Sequence, residues 1–251
     1  MVVGIFGSSG YLGQQSVLIC KSLSIDYVCL DKNIDKHKID FLRKITQVID
    51  CGFPRNYYEK GLDSAYLLEI DRRKHFFEGL GPKYIYIGTF TGIATRSTQY
   101  SLIKQKAEEI LETFGATILR AGLIVSHDRP GGRYQELHEV LEKFPVILIP
   151  NEDWFPLIVT DLDDFTDHLS KLLKSDKIEF SLPITIVPLR TVALQHSANK
   201  IQFEINASVC CLFSWVVRRL PLKKIEAIKA IAIPMSYSRN SIRELKGKAG
   251  W

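Results

Sequence analysis

GIFGSSGYLG, residues 4–13, is the stretch that decides the fold. It sets glycines at positions 7, 10 and 13 directly after the apolar run from Met1 to Phe6. A buried parallel strand, a tight glycine turn and then a helix make the unit that cradles a dinucleotide pyrophosphate. Gly7 lets the chain turn, Gly10 lets the backbone approach a phosphate, and Gly13 lets a helix pack close to the strand. A helix starting near Tyr11 points its unpaired N–H groups and the positive end of its dipole at the same place. Gly7, Ser8, Ser9, Gly10, Tyr11, Leu12 and Gly13 are therefore the expected phosphate loop.

Eighteen residues past Gly13, the segment Tyr27-Val28-Cys29-Leu30 ends in Asp31. A carboxylate at this spacing takes both hydroxyls of an adenosine ribose and repels a 2′-phosphate, which argues for NAD. Lys32, immediately after it, could instead pair with a 2′-phosphate, so NADP stays open. A solvated turn acid at a strand end is the plain alternative for Asp31.

The chain has 251 residues, 46% of them hydrophobic, enough for one large domain with a smaller appendage. Val209 to Val217, the longest C-terminal apolar stretch, is far too short to cross a bilayer. No secretory leader is evident at the first strand, and a cytoplasmic location is expected. Cys20, Cys29, Cys51, Cys210 and Cys211 lie in apolar surroundings without a CxxC pair or His-linked spacing, so buried reduced thiols and no metal site are expected. The formal charge of +5 is uneven: residues 200–251 hold ten Lys or Arg against three Glu. A basic end of this kind suits an anionic substrate, an acidic partner or simply water. Basic and aromatic residues are not interleaved there, which speaks against nucleic acid. The run from Val209 to Leu222, followed by Lys223 and Lys224, reads first as a buried helix with a basic end and only second as a membrane-surface segment.

Apolar runs recur as strands at Tyr27–Leu30, Gln47–Cys51, Tyr84–Gly88 and Thr117–Leu119, with helical stretches between them. The alternation predicts an α/β fold, a Rossmann-type doubly wound parallel sheet with helices on both faces. Asp161–Leu173 carries Leu162, Phe165, Leu169, Leu172 and Leu173 at helical spacing, and its early acids suit a helix N-terminus better than a metal. His138 and His168 fall on polar helix faces. Prolines beyond 180 mark a boundary: residues 1–180 are expected to form the NAD(P)-binding domain and 181–251 a small substrate-binding lobe. Between Asp31 and Gln47 there is room for one helix and little else, so one strand-helix unit is expected to be lost or reduced.

Tyr100 and Lys104 stand four apart in YSLIKQKAEEILETF, on one face of a helix whose buried stripe is Ile103, Ala107, Ile110, Leu111 and Phe114. A phenol is a poor acid or base at neutral pH, and a neighbouring ammonium favours its phenolate. Lys104 supplies that charge and could also hold a nicotinamide ribose. Eleven residues upstream, Gly88-Thr89-Phe90-Thr91 closes a central strand at the edge where open α/β sheets bind ligands. Thr89 is the first candidate to position a substrate oxygen, with Thr91 in reserve. Arg96, Arg129 and Arg133 are candidates to meet a sugar diphosphate, although each taken alone reads first as a solvated surface charge.

On GIFGSSGYLG, Asp31, YIYIGTFTG, YSLIKQKAEEIL and ATILRAGLIVS, residues 1–175 resemble the short-chain dehydrogenase/reductase superfamily, in particular its extended NAD-dependent epimerase/dehydratase branch acting on nucleotide sugars. IRELKGKAGW, near the end, is similar to that branch's closing segment. The resemblance implies Tyr100 as acid/base, Lys104 as its electrostatic partner, Thr89 as hydroxyl helper, and the glycine loop with Asp31 at the cofactor. It places Cys51 and Gly52 at the cofactor too, although Cys51-Gly52-Phe53 departs from the branch's small-residue turn. The loop from Thr89 to Tyr100 is about half the usual length, and Ala121 replaces a proline. The implied chemistry is hydride transfer at a secondary alcohol or ketone of a sugar nucleotide. A reductase of a small lipophilic ketone is the alternative enzyme, and a non-catalytic dinucleotide-binding sensor or scaffold the alternative of another class. Homodimers pairing through the helix of Tyr100 and Lys104 fit the resemblance, and the apolar residues near Ile110 serve a core equally well.

Overall fold

A computed structural model describes residues 1–31, 39–53, 62–90, 99–126, 128, 131–132, 134–135, 139, 146–150, 156–175, 182–183, 185–188 and 201–205. Lys32, Thr91, Arg96, Arg129, Arg133, His138, Cys210, Cys211, the 209–217 run and the closing segment lie outside these residues. The chain divides into two units. One comprises Met1–Gly92, Arg96–Ala121 and Leu162–Pro183, the other Ile93–Thr95, Gly122–Asp161 and Ile184–Trp251. Both are discontinuous in sequence, whereas the sequence reading draws a single cut near 180.

The first unit is a parallel sheet flanked by helices. Its strands are β1 (Val2–Phe6), β2 (Asp26–Leu30), β3 (Gln47–Asp50), β4 (Lys83–Thr89) and β5 (Thr117–Ala121), in the order β2-β1-β3-β4-β5. Helix α1 (Tyr11–Ser22) links β1 to β2, the short α2 (Ile39–Leu42) precedes β3, α3 (Leu62–Glu78) links β3 to β4, and α4 (Gln99–Glu112) links β4 to β5. Because β2 lies on one side of β1 and β3 on the other, right-handed crossovers put α1 on one face and α3 and α4 on the opposite face. Val3, Ile5, Val48, Ile49, Ile85 and Tyr86 are buried in the strands. They read as near-continuous apolar runs because a sheet covered on both faces leaves no polar side. On the α3/α4 face, Phe6, Ile70, Phe77, Tyr86, Ile103, Ala107 and Leu111 form one core cluster, with Ile110 and Phe114 packed partly buried against it.

Helix α5 (Leu162–Lys174) packs on α1. The five apolar positions predicted for this helix are all buried. Asp163 and Asp164 occupy its first turn and Lys171 and Lys174 its last, each sign matching the dipole. Its C-terminal carbonyls are taken by the sheet: Lys83 Nζ donates to Leu172 O at 2.6 Å and to Ser175 O at 2.7 Å, and Gln47 Nε2 donates to Leu173 O at 3.1 Å.

In the second unit, β6 (Leu123–Val125) pairs parallel with β8 (Pro156–Asp161), which pairs antiparallel with β9 (Thr185–Pro188); β7 (Val146–Pro150) pairs parallel with β10 (Ile201–Ile205). Among the described residues no helix is long and apolar enough to cross a membrane.

Three expectations are corrected. Cys29 is exposed rather than buried, because β2 is an edge strand. His168 is half-buried rather than solvated: its Nε2 is buried and, among the described residues, has no hydrogen-bond partner. The strand expected to stop at Leu119 continues to Ala121, because Arg120 is held there by Glu108 and Glu112.

Candidate functional site

Of the residues singled out in the sequence, those that are described lie at the C-terminal ends of β1, β2, β3 and β4 or in the first two turns of α1 and α4. Between β1 and β3 the winding of the sheet reverses, and at such a switch point the flanking loops part to leave a crevice.

The glycine loop has the geometry its spacing predicts. Gly7 sits at φ +70°, a conformation that disfavours any side chain. Gly10 N donates to Gly7 O at 2.9 Å, closing the turn. A Cβ on Gly13 would stand 2.1 Å from Gly7 O, so only glycine lets the first turn of α1 rest on the loop. Among the described residues, a Cβ on Gly10 would meet nothing nearer than Gly7 O at 3.3 Å. The N-cap of α1 is Gly10, which has no side chain with which to cap, and the first turn carries no acid. This donor set, with a positive dipole end and backbone open at Gly10, fits a phosphate anion. Ser8, Tyr11 and Leu12 are half-buried, Ser9 is exposed, and Asp31 follows β2 half-buried.

After β3 the chain turns through Cys51, Gly52 and Phe53, and this turn touches the glycine loop. A Cβ on Gly7 would be 2.8 Å from Gly52 N and 2.9 Å from the Cys51 carbonyl carbon. Cys51 N donates to Phe6 O at 3.1 Å, and Cys51 Sγ lies 3.7 Å from Ser16 Oγ on α1. Burial pushes the Cys51 thiol up to about 12, which makes it an inert group.

Tyr100 and Lys104 share the sheet-facing side of α4, as their spacing requires. The Tyr100 ring meets Phe53 edge-on, with centroids 4.9 Å apart. Lys104 is 5% exposed; its Nζ donates to Ile87 O at 2.9 Å and lies 4.6 Å from the Tyr86 ring and 5.0 Å from the Phe53 ring. Burial pulls its ammonium down to about 8, against the opposing pull of Asp50, Glu108 and Cys51. Phe53 thus contacts both members of the pair. Thr89, the last residue of β4, is buried, and its amide donates to Glu108 Oε1 at 3.2 Å.

Several residues at this site were missed by the sequence reading. Glu108 continues the stripe of Tyr100 and Lys104 by one more turn; its Oε2 accepts from Arg120 Nε at 2.8 Å, and burial raises its carboxyl even though Arg120 opposes that. Gly88 makes room for it, since a Cβ there would stand 2.4 Å from Glu108 Oε1. The four-residue periodicity could have found Glu108. Asp50 ends β3, whereas Tyr66 and Arg73 lie seven residues apart on α3, and no local spacing links either of them to Asp50.

No family model matches the chain, and no curated protein does. Solved structures do. A nucleoside-diphosphate-sugar epimerase from Staphylococcus aureus superposes with a TM-score of 0.64 at 12% identity, over 98% of this chain and 96% of that one. An NADPH-dependent quinone oxidoreductase from Escherichia coli, complexed with NADPH, gives 0.65 at 12% identity over 99% and 94%. A UDP-glucose 4-epimerase from Thermotoga maritima with UDP-glucose gives 0.59 at 12% identity over 81% and 86%. At these identities the likeness establishes a Rossmann-like α/β fold of the kind seen in nicotinamide-dependent epimerases and reductases.

Proposed function

We propose that the chain binds a nicotinamide dinucleotide across residues 7–13 and catalyses hydride transfer at a secondary alcohol or ketone of a sugar nucleotide, as an epimerase, dehydratase or reductase. The observation that carries this reading is the Gly7–Gly13 loop: a turn locked by a positive φ and by the close approach at Gly13, yet open at Gly10, beside the switch point of the sheet. The bound dinucleotide supplies the hydride acceptor or donor. The chain's own residues orient the reactants and move the proton. Tyr100 exchanges it with the substrate oxygen, Lys104 favours the phenolate electrostatically, and Thr89 holds the reacting oxygen. Asp31 takes the adenosine ribose, favouring NAD, with Lys32 beside it leaving NADP as the alternative. Residues 1–180 are proposed as the cofactor domain and 181–251 as the substrate lobe. The two sugar-nucleotide epimerases among the similar structures support the substrate class.

A second reading, a reductase of a small lipophilic ketone, is favoured by the likeness to the quinone oxidoreductase. It differs in its substrate, a small ketone rather than a sugar nucleotide, and in consuming NAD(P)H stoichiometrically where an epimerase or dehydratase does not.

Titration with NADH and NADPH, followed by nicotinamide fluorescence, tests the cofactor. Saturable binding of NADH, weakened by Asp31→Ala, is expected; folded protein that binds neither nucleotide refutes the reading. Tyr100→Phe then abolishes turnover of a screened sugar nucleotide with NADH affinity nearly unchanged, and turnover at the wild-type rate removes Tyr100 from the mechanism.

A further inference from the structure

Beneath the proposed cofactor loop lies a buried charge whose hydrogen bonds reach the loop's supporting turn. Asp50, the last residue of β3, is fully buried, as is Arg73 of α3. Asp50 Oδ2 accepts from Arg73 Nη1 at 3.0 Å and from the Tyr84 hydroxyl at 2.6 Å, while Oδ1 accepts from the backbone N–H of Gly52 at 2.9 Å. A second tether holds the same residue from its other side. The Tyr66 hydroxyl donates to Gly52 O at 3.0 Å and lies 3.0 Å from the Tyr86 hydroxyl. A Cβ on Gly52 would meet Asp50 Oδ1 at 3.1 Å and Arg73 Nη1 at 3.3 Å, so the turn is drawn tightly onto the pair. The Arg73 guanidinium also stacks 4.0 Å from the ring of Phe6, the residue before Gly7.

Stability alone is a poor explanation for this arrangement. A buried ion pair loses its hydration, and apolar residues of equal volume commonly match or exceed its contribution. What an apolar pair cannot do is hold one chosen backbone amide. Here the amide belongs to Gly52, whose backbone abuts Gly7 on one side, while its neighbour Phe53 carries an aromatic edge to Tyr100 and lies under the Lys104 ammonium.

We propose that Asp50, oriented by Arg73, acts with Tyr66 as a positioning pair. It fixes the 51–53 turn and so sets the glycine loop and the Tyr100–Lys104 helix at the separation a dinucleotide requires. The proposal rests on the dinucleotide reading above. Asp50 and Tyr66 touch no ligand in it; they act through Gly52.

The test compares two neutral double variants of the full chain by NADH titration. In Asp50→Asn/Arg73→Met the amide oxygen still accepts from Gly52, whereas in Asp50→Leu/Arg73→Met nothing does. Both lose the ion pair, so a role confined to its charge affects them alike. We expect the Asn variant to bind NADH within about threefold of wild type and the Leu variant about tenfold more weakly, one lost hydrogen bond being worth about that much. Circular dichroism checks that each is folded. Tyr66→Phe, which removes only a hydroxyl, is expected to weaken NADH by about threefold. Wild-type affinity in Tyr66→Phe overturns the proposal whether or not the double variants fold. So do equal affinities of the Asn and Leu variants. Wild-type protein that binds neither NADH nor NADPH overturns the dinucleotide reading itself, and the proposal with it.

Discussion

Lys104 sets the terms at the scale of single residues. Its ammonium has a backbone carbonyl and two aromatic faces for company, and burial brings its pKa from the ordinary 10.5 to about 8. The folded chain therefore holds this proton less tightly than the unfolded chain. Between about pH 8 and the unfolded value near 10.4 the unfolded state binds more protons, so this group makes stability rise with pH there; below about 8 its penalty is present in full. Lys104→Met removes the penalty and keeps most of the volume. It is expected to raise unfolding stability at pH 7 by about 1–3 kcal/mol, with the gain gone above about pH 10. Urea unfolding at pH 7 and pH 10 measures it, and a variant less stable at pH 7 contradicts the argument. The residue type and its spacing from Tyr100 were legible in the sequence. Its hydrogen bond to Ile87 and its burial under Phe53 were not, because both depend on how α4 lies against β4 and the turn after β3.

The glycine loop is a property of an element, and its three glycines are not equivalent. Gly13 is required by packing, since an added Cβ would collide with the backbone of Gly7 and Ser8; a Cβ on Gly10 would meet, among the described residues, only Gly7 O at 3.3 Å. Gly13→Ala is therefore expected to lower stability by about 1–3 kcal/mol and to impair NADH binding. Gly10→Ala is expected to leave stability within about 0.5 kcal/mol and still weaken NADH. Thermal unfolding and NADH titration of both variants separate the roles. Equal stability losses in the two would contradict the assignment. The sequence made this element legible down to the start of α1 at Tyr11, because a strand, three spaced glycines and a helix interact within a few residues of one another. The turn at 51–53 was visible only as a departure from a pattern. Its contact with Gly7 joins residues some 45 apart in the chain.

Over the whole molecule, α5 returns to the first unit after the chain has passed through the second. Its apolar face was plain from periodicity, and its docking is fixed by groups far away in sequence. Lys83, at the start of β4, donates to two carbonyls at the end of α5, where a cation also meets the negative end of the dipole. Lys83→Ala is expected to reduce stability by about 1–2 kcal/mol without altering NADH affinity, since β4 begins at the edge of the sheet opposite the cofactor loop. Urea unfolding and NADH titration check the two halves of that statement. A variant as stable as wild type would show that the cap contributes nothing.

Local pattern by itself determined the parallel α/β alternation, the glycine loop, the faces of α4 and α5, and the line of Tyr100 with Lys104. Each rests on periodicity or turn chemistry that operates within a helix or across one strand-turn-helix unit. Only the tertiary structure decided that β1 and β3 lie side by side, that Asp50, Tyr66, Arg73 and Tyr84 converge on one another and on the 51–53 turn, and that Cys29 faces out. These depend on the order of strands in the sheet and on pairings across long stretches of chain, where one residue's partner leaves no mark in its own neighbourhood.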